Sequence, residues 1–425
     1  MNSFTGKKLL ILGGMYQHRK LVKKAKELGI ETWVTDYLPL EEAPAKQMAD
    51  HAEMINITEI DRLVKLCRDE HIDGIIAPYL DVTQKPYQQI CERMNWPCFG
   101  TARQHEILTD KQQFKAFCET HGADIIPGYS EEDLEKRNIE YPILVKPSDS
   151  RGSRGQTICR NKEEAENAIR FAQKESTSGQ AVIEKYMENK QDLQLVYLVI
   201  NGEPLLYKVE DRYTGSPDEG LDKIATACIS PSKYEKKYRD QIDAKVSGMI
   251  RSIGLRNSPV FIQAFMDGDV VRLYDPGIRM PGDDYDDAHK ALTGIDIPEL
   301  LIHFALTGEM PEFAAGQIKN KRLKGYAVMI LPCLRPGKIA KIEGLELIDT
   351  HPNIVTWSTA HFVGDAIRDD VKLRQRYGEF VITASDKEQL RTVIQWLYET
   401  LHVYDETGEE MITGRFDTKL LDDYE

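Results

Sequence analysis

The first hundred residues alternate short apolar runs with amphipathic stretches, and this alternation limits the fold more than any other feature of the chain. KKLLILGG predicts a strand and a turn. HRKLVKKAKELG predicts an amphipathic helix closed by Gly29. IETWVTDY, IDRLVKLCRDEH, IDGIIAPYLD and KPYQQICERMN continue the strand–helix rhythm, and WPCFG closes it. Strands alternating with helices imply a parallel sheet with helices on its faces. Ligands of such sheets sit at the carboxyl ends of the strands, which directs attention to Gly13, Gly14, Asp36, Tyr79 and Asp81. A dinucleotide site does not follow. GGMYQH is not G-x-G-x-x-G, because the glycine needed for close helix–strand packing is absent.

The segment YPILVKPSDSRGSRG, Tyr141 to Gly155, has a different character. A short buried strand ends in Lys146, Pro147 stops it, and a polar loop follows. Glycines there let backbone N–H groups approach an anion. Lys146 adds a compact point charge, and Arg151 and Arg154 add planar forks. These groups suit phosphate and contribute nothing to a core.

Further along, LTDKQQFKAFCETHGADIIPGYS predicts a helix starting near Asp110, and then a strand. A β-rich stretch follows from Ala181, with a hairpin at Asn201-Gly202. Tyr213 to Thr226 reads as a polar loop over the site, and Lys233 to Gly254 as one helix. A second hairpin turns at Asp267-Gly268. The tail from Lys321 reads as β-rich, with EQLRTVIQWLYETL as a helix that ends the folded part.

Composition narrows the partners. The chain has 425 residues, which suits two or three domains, and a formal net charge of −14. An acidic surface disfavours nucleic acid and anionic membranes but leaves room for a basic cleft. No apolar stretch reaches the ~20 residues of a membrane span. The start, MNSFTGKKLLILGG, lacks the pattern of a secretion signal. Seven scattered cysteines without a CxxC pair fit reduced thiols in a cytoplasmic protein.

Four separated elements agree with the phosphate loop: Asp110-Lys111, Lys146 with its Gly/Arg loop, VIEKYMEN (Val182 to Asn189), and the hairpin bearing Gln263 and Asp275 with Arg279 beyond. In order and spacing they resemble the ATP-grasp superfamily, in which two α+β subdomains hold ATP between them. The resemblance covers most of the chain. It implies a mixed α/β and α+β architecture in three parts. Residues 1–104 would be a Rossmann-like domain. Residues 105–310 would be the ATP-grasp domain, with a mobile lid subdomain at about 120–190. Residues 311–425 would be a β-rich domain like the C-terminal domain of biotin carboxylase and of purine-biosynthetic ligases.

The resemblance also implies roles. Lys111 and Lys146 match the two lysines that hold ATP phosphates, and Ser150, Arg151, Gly152, Ser153, Arg154 and Gly155 match the phosphate lid. Glu184, Lys185, Tyr186 and Met187 match the hinge of biotin carboxylases. There Glu184 and the backbones of Lys185 and Met187 would read adenine, and Asp192 would meet the ribose. Gln263 and Asp275 match the metal pair of relatives, twelve residues apart, for Mg²⁺ or Mn²⁺. This chain departs from the pattern there. Gln263 stands where most relatives have a carboxylate, and their E-x-N-x-R is Asp275-Pro276-Gly277-Ile278-Arg279. Gln263 offers only a neutral carbonyl oxygen and Gly277 no side chain, so metal should bind weakly without nucleotide.

Arg279 is the leading catalytic candidate, since a guanidinium beside the γ-phosphate can hold a substrate carboxylate and stabilise developing charge. Lys208 and Arg212 precede the polar loop and are expected to close on phosphate or substrate. Arg272 projects from the same hairpin as Asp275, although alternation places 272 and 275 on opposite faces. The acidic run Gly282 to Asp287 could recognise an amine or assist metal.

The resulting expectation is a ligase that uses ATP to convert a small-molecule carboxylate to an acyl phosphate, which an amine then attacks. A homodimer is compatible with it; nucleic acid and membrane partners are not expected. The alternatives are a bicarbonate-activating carboxylase like biotin carboxylase, which the hinge favours, and a nucleotide-binding regulatory protein, which Gln263 and Gly277 favour.

Overall fold

The computed structural model describes residues 4–425 apart from 137–138, 149–154, 177, 222–223, 283–284, 321 and 370–371. The expected loop residues Ser150, Arg151, Gly152, Ser153 and Arg154 therefore lie outside the described residues, as do Asp283 and Asp284 of the acidic run.

The first apolar runs form a four-stranded parallel sheet in the order His51–Glu53, Glu31–Thr35, Lys8–Leu12, Gly74–Ile76. Leu9, Leu10, Ile11 and Leu12 are all fully buried, as a parallel strand covered on both faces requires. Helix Arg19–Glu27 ends before Gly29, whose φ of +76° suits the left-handed turn that closes it. The strand His51–Glu53 is too short and polar to stand out in sequence. Helix Ile297–Thr307, remote in sequence, packs on this sheet. A Cβ at Gly74 would lie 2.6 Å from the Ala305 carbonyl oxygen, so the close approach requires glycine.

A second, antiparallel sheet has the order Gly128–Tyr129, Ala181–Lys185, Ile143–Pro147, Thr157–Cys159. Helix Lys162–Glu175 covers it, packing Ala165, Ala168, Ile169 and Ala172 against Ile143, Val145 and Ile183.

The third sheet has eight strands in the order Val270–Gly277, Ser258–Asp267, Gln191–Ile200, Glu203–Thr214, Ala225–Ser230, Tyr326–Ile330, Gly378–Ala384, Ile354–Thr359. It runs without a break across residue 310, because Ala225–Ser230 pairs with Tyr326–Ile330. The hairpin at Asn201-Gly202 forms as expected, with φ of +52° and +85° at the turn.

Two local expectations need correction. The helix expected over Lys233 to Gly254 is two helices, Glu235–Gln241 and Asp243–Ser252, broken at Ile242. Helix Lys387–Thr400 does not end the folded part. Strands His402–Asp405 and Ile412–Thr413 follow, and Leu421 and Tyr424 are buried in the core of this region. Apolar residues spaced this widely give no periodic signal.

Candidate active site

A cleft of about 1390 Å³ lies between the small antiparallel sheet and the eight-stranded sheet. Its construction begins at the helix Lys111–Thr120. Asp110 caps it by accepting from the N–H groups of Gln112 and Gln113, so the helix starts at Lys111. One turn later comes Lys115, on the same face. Lys111 Nζ lies 3.5 Å from Asp275 Oδ1, and Lys115 Nζ lies 2.8 Å from Glu184 Oε2.

Glu184 is the pivot of this region. It is 2% exposed on the strand Ala181–Lys185, and Lys146 from the neighbouring strand pairs with its other oxygen. Burial pushes the Glu184 carboxyl up, but the ammoniums of Lys146 and Lys115 outweigh it and hold the group below the ordinary carboxylate range. Burial lowers the pKa of Lys146, against the attraction of Glu184 and with the repulsion of Lys111 and Lys115. Three ammonium groups, Lys111, Lys115 and Lys146, against two carboxylates, Glu184 and Asp275, leave one excess positive charge beside the cleft.

Apolar surface flanks this charge. Ile126, Leu144, Ile158 and Met187 line one part of the cleft, with Phe265 stacked on Tyr274 at 4.9 Å in the wall. Behind them Asp192 is tied to Arg212 at 2.8 Å and to the Tyr274 hydroxyl at 3.0 Å. Burial raises the Asp192 carboxyl, opposed by Arg212 and Tyr274. Gln263 and Asp275 are register partners on adjacent strands, and both line the cleft.

Another part of the wall is assembled from all three regions of the chain. Asp81, first residue of the helix Asp81–Met94, meets Arg279: Nε donates to Oδ1 at 2.6 Å and Nη2 to Oδ2 at 3.2 Å. Gln84 donates to Asp81 at 3.1 Å and accepts from the Ile278 N–H at 3.0 Å. The turn after the first strand contributes Met15, Tyr16 and Gln17, and Tyr16 donates to the Thr359 carbonyl at 2.6 Å. His361, Arg374, Arg376 and Glu379 line the cleft from the C-terminal region.

Three family models match consecutive parts of the chain: the PylC-like N-terminal domain over residues 9–85, the ATP-binding domain of the carbamoyl-phosphate synthase L chain over 110–200, and L-amino acid ligase C-terminal domain 2 over 329–406. All three are ATP-grasp-related domains, and together with the relatives below they make the chain similar to ATP-grasp ligases along most of its length. It is 31% identical over 199 residues to the 2-oxoglutarate carboxylase small subunit of Hydrogenobacter thermophilus, a match covering 42% of each protein. With the formate-dependent phosphoribosylglycinamide formyltransferase of Prochlorococcus marinus it shares 26% identity over 325 residues, covering 72% of this chain and 81% of the relative. Two solved structures share the fold. The biotin carboxylase domain of the Hydrogenobacter thermophilus carboxylase superposes with a TM-score of 0.77 and 21% identity over 98% of this chain and 95% of that one. The L-amino acid ligase of Bacillus licheniformis gives a TM-score of 0.78 and 17% identity over 95% and 99%.

Within this ATP-grasp frame, Lys111, Lys146, Glu184, Lys185, Tyr186, Met187, Asp192, Gln263, Asp275 and Arg279 all face one cleft. Gly155 has φ of +71° and lies against Pro147. The Glu184 carboxylate, expected at the adenine, is instead occupied by two lysines. The Lys185 N–H donates to the Pro127 carbonyl at 2.9 Å and the Tyr186 N–H to Pro142 at 3.0 Å.

Two catalytic expectations are corrected. Lys208 is 1% exposed and does not line the cleft. It shares a strand face with Arg212 but lies four residues further back, paired with Glu210 at 3.0 Å beneath the Tyr285 ring. Arg272 likewise does not line the cleft, its guanidinium held at the far end of the hairpin by Asp267 at 2.7 Å and by the Ile125 carbonyl at 3.2 Å. The alternation argument also fails there. A bulge at Tyr274 takes up one residue, so Asp275 pairs with Gln263 and Arg272 with Phe265, on the same face. Lys115 was legible only as the residue one helical turn after Lys111. Arg374 and Arg376 carried no sequence signal.

Among the described residues no group of three or more His, Cys, Asp or Glu side chains is placed to hold a metal ion. Likewise, no described helix is long and apolar enough to cross a membrane.

Proposed function

We propose that the chain is an ATP-dependent ligase that joins a small-molecule carboxylate to an amine or similar nucleophile, releasing ADP and phosphate. The observation that carries this reading is the meeting, in one cleft, of a lysine-rich anion site, an apolar slot, an Asp–Gln pair and a cleft-facing arginine.

Lys111 and Lys146 hold the phosphates, and Lys115 supports Lys146 through their shared partner Glu184. A triphosphate competes with Glu184 and Asp275 for these ammoniums. Adenine lies in the slot of Ile126, Leu144, Ile158 and Met187. With the Lys185 N–H already engaged, the Lys185 carbonyl and the Met187 N–H are the pair that reads its edge. Asp192 meets the ribose.

Asp275 and Gln263 fit Mg²⁺ or Mn²⁺ only as a half-site, one carboxylate and one neutral oxygen, which nucleotide oxygens complete. The cation, when bound, offsets phosphate charge. Arg279 sits beside the reacting centre and stabilises the charge that develops there. The carboxylate oxygen attacks the γ-phosphorus and the bond to the β-phosphate oxygen breaks, giving an acyl phosphate and ADP. The amine nitrogen then attacks the carbonyl carbon, phosphate leaves, and the amine proton passes to solvent. This chemistry needs positioning more than a protein nucleophile.

The division at residues 104 and 310, a cytoplasmic setting and a homodimer belong to the same proposal. The dimer has support in the dimeric biotin carboxylase domain that shares the fold. That neighbour was solved with MgADP and bicarbonate, which favours carboxylation as a second reading. A panel of carboxylic acids with ATP, Mg²⁺ and hydroxylamine tests both. Hydroxamate formed with stoichiometric ADP supports the ligase. ADP release that needs bicarbonate alone supports carboxylation, and no ADP release with any acid or bicarbonate refutes both.

A further inference from the structure

Arg279 makes more contacts than a free substrate clamp would. Its guanidinium carries five N–H groups. Nε and Nη2 donate to Asp81, Nη1 donates to the Met280 carbonyl at 2.9 Å, and the group stacks 4.6 Å over the Phe261 ring. Two N–H groups remain, one on each Nη, and Arg279 itself lines the cleft. The side-on edge thus belongs to Asp81, and the end-on edge is left for an incoming carboxylate.

Asp81 is not buried by this pairing. Its side chain is 50% exposed while that of Arg279 is 9% exposed, and both line the cleft. One charge of each sign on adjacent edges of a single site nets to zero. A plain carboxylate placed there gains the arginine but meets Asp81 as a like charge. A carboxylate bearing an ammonium group on its α-carbon satisfies both.

The backbone is shaped around the pair. Gly277 replaces the side chain that the superfamily pattern carries between Asp275 and Arg279. A Cβ there would lie 2.9 Å from Arg279 Cγ and 3.3 Å from Gln84 Nε2. Glycine at this position lets Gln84 reach Asp81 and the Ile278 N–H while Arg279 lies flat beside them. The residue that weakens the metal site therefore makes room for an Asp81–Arg279 receptor.

We propose that Asp81 is a specificity-determining residue that accepts the ammonium of an α-amino acid whose carboxylate is held by the end-on edge of Arg279. The substrate class is thus an α-amino acid zwitterion. This rests on the ligase reading above. The test uses matched pairs, L-alanine with propionate and L-methionine with 4-(methylthio)butanoate, each with ATP, Mg²⁺ and hydroxylamine. Wild type should favour at least one amino acid over its des-amino partner by roughly a hundredfold in kcat/KM. Asp81→Asn should bring that ratio to within about threefold, chiefly by raising KM for the amino acid, and Asp81→Glu should recover the preference. A thermal melt of each variant confirms that it is folded. Equal use of both members of every pair by wild type overturns the assignment while leaving the ligase intact. So does Asp81→Asn that slows both members alike with the preference kept, which would make Asp81 only an orienting group. Hydroxamate from neither member of any pair, with ADP release from other acids, overturns the amino-acid class. No ADP release with any acid at all is the separate failure of the ligase reading.

Discussion

The two ends of the cleft are built on different plans. The lysine end comes mostly from one compact stretch: Lys111, Lys115, Lys146 and Glu184 lie on a helix and two adjacent strands, and buried charges fix one another. The arginine end is assembled across the whole chain. Asp81 reaches Arg279 from 198 positions away, and Tyr16 reaches Thr359 from 343. The first plan preorganises an anion site on local structure. The second makes reactivity depend on how three regions are held together, so substrate choice can change without touching the nucleotide site.

The sharpest way to break this contrast is to remove the charge at the arginine end. Arg279→Ala should lower kcat by roughly 10³-fold, the size of effect seen when a preorganised electrostatic contact to a transition state is lost. The Kd for ATP should change only a few-fold. Equilibrium binding of ATP beside steady-state kinetics checks this, and a large loss of ATP affinity would show that the two ends are one site.

Lys146→Ala strikes the other end. It removes one proposed phosphate contact and leaves Glu184 paired with Lys115, so ATP Kd should rise by roughly a hundredfold. The variant should also be less stable, since part of a buried ion pair is gone. Calorimetric titration with ATP and a denaturant melt separate the two effects. Unchanged ATP affinity would remove Lys146 from the nucleotide site.

These two residues also mark how much was legible beforehand. Lys146 stood in a run of apolar residue, lysine, proline and glycine whose local chemistry already suggested phosphate. Arg279 and Asp275 were found by their spacing from Gln263. The parallel first sheet followed from periodicity, because buried strands and amphipathic helices leave that mark within a few residues. Lys208 and Arg272 were misplaced for a related reason. Where a strand runs under a neighbouring helix, and where a bulge shifts its register, depend on tertiary packing that alternation cannot express. The Asp81–Arg279 pair had no joint signal, since nothing local links positions so distant.

The contact of the strand Glu203–Thr214 with the C-terminal Tyr424 offers a pH test outside the cleft. Asp211 faces away from Arg212, accepts from Ser232 at 2.7 Å and from the Lys233 N–H at 2.9 Å, and takes the hydroxyl of Tyr424. Burial pushes its carboxyl up to about 6, against these hydrogen bonds. A folded-state pKa above the unfolded value of 3.8 means that the unfolded chain ionises first as pH rises. This group therefore contributes full stability below about pH 4 and loses it as pH climbs to about 6, by no more than roughly 3 kcal/mol. Asp211→Asn should flatten that part of the stability–pH curve in denaturant titrations. The same pH dependence in the variant would assign it elsewhere.

The smallest expected effect isolates the seam itself. The Tyr16 hydroxyl is the direct hydrogen bond from the first turn to the strand Ile354–Thr359, and both segments line the cleft. Tyr16→Phe keeps the ring and its stacking with Arg19, which lies 5.5 Å away, and deletes only the donor. The loss should be about 1 kcal/mol of stability, the typical size of one intramolecular hydrogen bond. If the arginine end depends on how the regions are held, KM for the carboxylate substrate should rise by roughly twofold to fivefold while ATP affinity stays constant. A matching shift in ATP affinity would show that the seam supports the whole cleft, and that the two ends are mechanically one.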